Sequence, residues 1–310
     1  MPDIVVMFFL LGLLSGLVKS DLTIPKAAYD VLSLLLMLTI GLKGGMALHG
    51  NVGWHLLIEM GAVTLLGIAI PLILFPLLLK VVRLSLADSA SFTAHYGSVS
   101  AGTFAVAFAY AESQQLTIGG QVTIYLVLLE LPAILIGLLL FRHFSRESGG
   151  SGTTTALIHE ALTNRGVILL VGGVVIGWMY GPLEGAMVTD LYMTAFKGVL
   201  ALFLLEMGLV AADALSKVRL DKIRVIIFAM VAPSLLGLAG LFTGKMLGLP
   251  DGSVLILASL TASASYIAAP VAVRTAIPKA DIGLAMLASL GITFPFNVLI
   301  GIPLYHSWLI

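Results

Sequence analysis

Two short polar runs interrupt an otherwise apolar chain. Residues 260–278 read L-T-A-S-A-S-Y-I-A-A-P-V-A-V-R-T-A-I-P, with Thr261, Ser263 and Ser265 crowded ahead of Pro270. Residues 96–104 read Y-G-S-V-S-A-G-T-F and have the same character. Hydroxyls both donate and accept hydrogen bonds, and glycine lets backbone approach a ligand closely. If each run breaks a helix, the N-terminal half-helix ends present unpaired N–H groups and a positive partial charge, which favour an anion. C-terminal ends and unwound carbonyls favour a cation instead. Crossed breaks would bring Ser98, Ser100, Ala101, Gly102 and Thr103 to face Ser263, Ala264 and Ser265 around one cavity, a setting for a small oxyanion with a co-bound Na⁺. Small residues also serve tight helix contacts in membranes. Two matching runs, each ending in helix-breaking residues, favour the site over that alternative.

Other groups could take part. Glu130 lies mid-span in V-L-L-E-L-P, just before Pro132. A carboxylate at membrane depth is costly and by default a functional candidate; the alternative is a buried Glu bonded to backbone freed by the proline. Thr103, Glu130, Thr261, Ser265 and Thr293 are the candidate Na⁺ ligands, with Asn297 a weaker one. Lys43 and Glu206 invite pairing, but snorkelling of each to its own interface is the expectation. Arg274 closes the second run as a cytoplasmic anchor, and residues 217–224, K-V-R-L-D-K-I-R, read as a lipid-facing inner loop.

Composition places these groups in a membrane. Hydrophobic residues make up 59% of the chain, charged residues 10%, and mean hydropathy is +1.10. A soluble domain carries about 25% charged residues. The net charge of zero gives no footing for nucleic acid. Without cysteine there is no thiol catalysis or thiolate metal site, and the six His are scattered without metal-ligand spacing. No nucleotide loop, metal cluster or nucleophile–base arrangement is visible, so the chain reads as a non-enzyme with no cofactor.

Ten apolar segments follow one another, over residues 4–18, 27–48, 54–82, 88–111, 119–141, 165–180, 192–212, 223–247, 253–273 and 282–304. The polar runs interrupt the fourth and ninth. Gly and Ser at 145–155 form a solvated connection, giving a first five-helix repeat over 1–143, a linker over 144–163 and a second repeat over 164–310. An odd number of spans per half inverts the second half. All Lys and Arg except Lys43, Lys197 and Lys245 fall in loops of one side if both termini lie outside, which makes the linker cytoplasmic. The later parts of the halves align at an offset of 163: Gly45 falls on Gly208, Ser100 on Ser263 and Pro132 on Pro295, with Lys43 on Glu206 and Glu130 on Thr293. The expected fold is an all-α polytopic membrane protein of about ten transmembrane helices, two inverted five-helix repeats whose broken helices four and nine cross near the midplane.

At these residues the chain resembles the sodium-dependent bicarbonate transporter family best known from cyanobacteria. Residues 41–47, G-L-K-G-G-M-A, are similar to the family's G-L-T-G-G-M-A, and residues 97–103, G-S-V-S-A-G-T, to G-A-V-S-G-S-T. Residues 130–133, E-L-P-A, resemble D-I-P-A, and residues 263–278 resemble S-S-S-D-I-S-G-P-P-T-L-R-A-G-I-P. The resemblance covers nearly the whole chain. It implies a core and a gate domain, a homotrimer in the cell's inner (plasma) membrane, and Na⁺-coupled bicarbonate uptake at the crossing of the broken helices. It also implies a cytosolic PII-like partner that binds adenine nucleotides. Tyr266 departs from the family motif, which has Asp there, as do Ala264 and the pair Ala268–Ala269. Losing that carboxylate bears on Na⁺ and on the anion rather than on the fold. The competing expectation is a membrane sensor or scaffold of the same fold that transports nothing and docks the cytosolic partner.

Overall fold

The computed structural model describes residues 4–50, 53–145, 163, 165–216 and 222–309. Most of the linker at 144–163 and residues 217–221 of the basic loop lie outside them. Twelve helices appear among the described residues, and no strand: α1 (Ile4–Leu17), α2 (Lys26–Leu48), α3 (Trp54–Val82), α4 (Leu86–Gly97), α5 (Ala101–Ser113), α6 (Val122–Phe144), α7 (Arg165–Glu184), α8 (Ala186–Ser216), α9 (Ile223–Met246), α10 (Asp251–Thr261), α11 (Ala268–Ala276) and α12 (Ile282–Ser307). Seven of these, α2, α3, α6, α7, α8, α9 and α12, are long and apolar enough to cross a membrane. The chain is a multi-pass membrane protein. The fourth and ninth apolar segments are each split in two, α4/α5 and α10/α11, as the polar runs predict.

The helices sort into two groups by what they touch. In the first, α2 lies along α7, α1 lies along α8, and α2 also meets α8. Glycine makes these approaches possible. A side chain on Gly41 or Gly45 of α2 would run into the backbone of Leu170 or Val174 on α7, and one on Gly12 of α1 into Leu205 on α8. Apolar side chains gain nothing by leaving lipid, so close backbone contact is what holds such pairs together. Gly45→Val is therefore expected to lower stability by about 1–3 kcal/mol, the usual range for overfilling a tight contact; thermal unfolding in detergent measures it, and an unchanged midpoint would show that α2 and α7 can separate freely. At the end of α7, Gly181 takes φ 63°, a left-handed conformation, ahead of Pro182. That turn ends the sixth span where the apolar pattern ends, and α8 begins five residues later.

In the second group α6 packs on α3 and α4, and α9 packs on α10 and on α12. α4 is buried from Ser89 to Gly97 without a break, and Gly137 of α6 fits against Ala90 and Ala94. Pro132 interrupts α6, and Pro295 lies in α12, whose ladder widens into π-type turns at Leu287–Thr293 and Asn297–Gly301. Such turns leave carbonyls for other donors to satisfy. The seam between the groups runs where α2 and α8 meet α5, α6 and α12.

Candidate functional site

The two breaks touch. α4 ends at Gly97 and α5 starts at Ala101; α10 ends at Thr261 and α11 starts at Ala268. Between the halves of each pair the backbone leaves the helical ladder, and its polar groups must find other partners at membrane depth. They find them across the crossing. The Ser100 N–H donates to Ser263 Oγ at 2.8 Å, and the Ser265 N–H donates to the His95 carbonyl at 2.8 Å. Ser263 Oγ in turn donates to the Leu260 carbonyl at 2.7 Å.

Side chains satisfy much of the rest. Ser100 Oγ accepts from the Thr103 N–H at 3.0 Å, an N-cap for α5, and Ser265 Oγ accepts from the Ala269 N–H at 3.2 Å in α11. Asn297 Nδ2 donates to the Ala262 carbonyl at the C-terminal end of α10, at 2.8 Å, and is itself steadied by the Tyr305 hydroxyl at 2.8 Å. Asn297 thus closes the end of α10.

What remains unpaired points to a ligand. A cavity of about 40 Å³ lies at the breaks, lined among others by Ser100, Ala101, Glu130, Ser265, Tyr266 and Ala268. A single water needs roughly 10–15 Å³ by the same kind of measure. Two helices, α5 and α11, begin at this cavity. The N–H groups of Ala101 and Gly102, and those of Ile267 and Ala268, have no acceptor among the described residues. Two helix N-termini converging on one space present donors and positive partial charge to it, which is anion chemistry. Glu130 lines the same cavity while the residue is 8% exposed. A carboxylate facing an anion pocket requires a cation or a proton beside it.

Two further buried hydroxyls at the breaks, those of Ser98 and Thr103, have no hydrogen-bond partner among the described residues, and the Tyr266 hydroxyl lies beside the Ser100 side chain. Buried polar atoms are seldom left so. Tyr266 fills much of the crossing: its ring meets Phe294 edge-on at 5.4 Å, and its hydroxyl lies over Gly102, where any side chain would collide with it. Gly102 is thus needed to seat Tyr266 as well as to open backbone N–H.

Not every candidate converges. Thr261 Oγ1 bonds to the carbonyls of its own helix at Leu257 and Ala258 and packs under Gly240 of α9, away from the cavity. Thr293 Oγ1 bonds to the Ala229 carbonyl at 2.7 Å and to the Tyr96 hydroxyl at 2.8 Å, so it joins α12 to α9 and α4. Ala264 is buried in an apolar cluster with Ala229 and Ala232. Ser33 of α2, a cavity-lining hydroxyl, escaped the sequence reading because one Ser in an apolar helix carries no signal of direction. Fully buried His95 was missed for the same reason: Nδ1 faces the Ser91 carbonyl at 2.7 Å, and Nε2 has no partner.

A family model for the Na⁺-dependent bicarbonate transporter superfamily matches residues 4–310. The chain belongs to that superfamily. No curated protein matches it. Membership supports a transporter role, and bicarbonate and Na⁺ are the substrates that fit the superfamily. From the two polar runs, Val99, Ser100, Ala101, Ser265, Tyr266, Ile267 and Ala268 line this cavity, and Ser263 bonds to the Ser100 N–H.

Proposed function

We propose that the chain is a secondary transporter for Na⁺-coupled uptake of bicarbonate or a similar small anion, working by alternating access. The observation that carries this reading is the contact of the two helix breaks, Ser100 N–H to Ser263 Oγ, beside a cavity where two helix N-termini and Glu130 converge. Ser98, Ser100, Ala101, Gly102, Thr103, Ser263 and Ser265 form the anion site and its walls, the anion taking the free N–H groups at the starts of α5 and α11. Glu130, with hydroxyls of Thr103 and Ser265, is the best placed of the candidate Na⁺ ligands.

The transport cycle rocks the second helix group against the first about this cavity. In this reading residues 1–143 and 164–310 are inverted repeats joined by a cytoplasmic linker at 144–163, both termini are outside, and the protein works as a homotrimer in the inner membrane. Regulation by a cytosolic PII-like protein goes with the same reading.

Counterflow in proteoliposomes tests it. Vesicles loaded with unlabelled bicarbonate are expected to accumulate labelled bicarbonate, and to do so faster with Na⁺ on both sides. A panel of other small anions defines selectivity. If no anion exchanges, with or without Na⁺, the transport reading fails and the scaffold reading takes its place.

A further inference from the structure

Two larger cavities lie on the seam between the helix groups, one toward each end. The first, about 220 Å³, sits between the C-terminal end of α2 and the α5–α6 corner, where Ala47, Ile118, Gly120 and Thr123 line it. The second, about 420 Å³, sits between the C-terminal end of α8 and the start of α12, where Val210, Asp281, Gly283 and Met286 line it. Adding 163 to these four, of the ten residues that line the first cavity, gives these four of the ten that line the second. The same offset relates Ser100 to Ser263, which bond at the crossing. Four wall positions of the two cavities are thus related by one offset.

The two cavities differ in how they are closed. Across the first, Lys43 Nζ on α2 lies 3.0 Å from Glu112 Oε1 on α5, with side chains 18% and 34% exposed. The ammonium also sits 4.8 Å from the Phe108 ring centre on α5 and 4.4 Å from that of Phe196 on α8. This corrects the expectation that Lys43 snorkels to the interface: a carboxylate and two aromatic faces within reach hold it better than headgroup water does. The positions 163 residues on are Glu206 and Thr275, a carboxylate and a hydroxyl that do not line the second cavity and cannot form such a pair. The family motif has Thr where this chain has Lys43, so the pair is not required by the fold.

We propose that these cavities are the outer and inner vestibules through which a small anion reaches and leaves the break cavity, and that Lys43–Glu112 is a latch holding the outer one shut. The proposal rests on the transporter reading and on the topology with both termini outside. Lys43 belongs to one helix group and Glu112 to the other, so any sliding of the groups that opens the outer vestibule must part them. An anion arriving from outside meets Lys43 first and competes with Glu112 for it, so the arriving anion itself weakens the latch.

The absence of cysteine allows a direct test. Thr123→Cys places a thiol deep in the outer vestibule, where Thr123 is buried against Gly44, and Met286→Cys places one at the equivalent point of the inner vestibule. Reaction with an impermeant maleimide is followed in intact cells and in inside-out vesicles. Met286→Cys is expected to label from the cytoplasmic side only, and Thr123→Cys slowly and from outside. Adding Glu112→Gln or Lys43→Thr should speed Thr123→Cys labelling about fivefold, the weight of a partly exposed ion pair. The exchanged pair, Lys43→Glu with Glu112→Lys, should slow it again. Sodium bicarbonate outside should speed labelling in the parent and not in Lys43→Thr. Thr123→Cys labelling that ignores both single changes, with sidedness as expected, overturns the latch alone. Labelling of Met286→Cys from outside overturns the topology and the proposal with it.

Discussion

Ser263→Ala slows anion counterflow by about ten- to a hundredfold with the folded yield unchanged. The hydroxyl it removes accepts the Ser100 N–H and donates to the Leu260 carbonyl, so it ties the two breaks together. Without it a buried N–H loses its only acceptor, at a cost of about 1–3 kcal/mol. Part of that cost falls on the geometry of the cavity, because Ser100 is the residue before α5 begins. Ser100→Ala acts differently: it removes the cap on the Thr103 N–H, worth about 1 kcal/mol, and leaves the Ser100 N–H to Ser263 Oγ bond in place. The expected order is therefore Ser263→Ala well below Ser100→Ala, and Ser100→Ala below the parent. Both are measured as initial counterflow rates in proteoliposomes at matched protein. Equal and unimpaired rates would mean that the hydroxyls only help the helices fit together.

Tyr266→Asp has the second large effect. Tyr266 stands where the motif in the resemblance described above has Asp, and its hydroxyl lies over Gly102 at the start of α5, beside the Ser100 side chain. A carboxylate in that place would sit beside two helix N-termini and compete with the anion for their positive ends. It would also attract a desolvated cation far more strongly than the neutral phenol, since charges interact strongly at low dielectric. Anion binding without Na⁺ is thus expected to fall, and the dependence on Na⁺ to steepen. The change also removes a ring from its edge-on contact with Phe294, and aromatic-to-small changes in a core cost about 3–5 kcal/mol. Tyr266→Phe separates the two effects, because it keeps the ring and deletes only the hydroxyl; it should leave stability and Na⁺ dependence near the parent's. Labelled-anion binding across a Na⁺ titration, at equal folded amounts, decides the matter. Parallel curves for the parent and Tyr266→Asp would remove position 266 from the site.

The all-helical membrane class of the protein and the place of its two breaks were legible in the sequence, because each rests on local composition. A run such as S-V-S-A-G-T cannot stay an uninterrupted apolar span, and the chain leaves the helix there, at 98–100 and again at 262–267. Direction was not readable. Most spans here are apolar all round, and a helix without a polar face gives no signal of which side meets which neighbour. So Thr261 and Thr293 looked equivalent to Ser265 on paper, yet they turn toward α9 and spend their hydroxyls on its neighbourhood. Lys43 found Glu112, which lies 69 residues away and carries no sequence mark of the pairing. Asn297 found the open carbonyl of Ala262, and Tyr266 found the space above Gly102. Local chemistry set where the backbone had to leave the helix; only the tertiary structure decided which hydroxyls, carboxylates and N–H groups were then left facing one cavity.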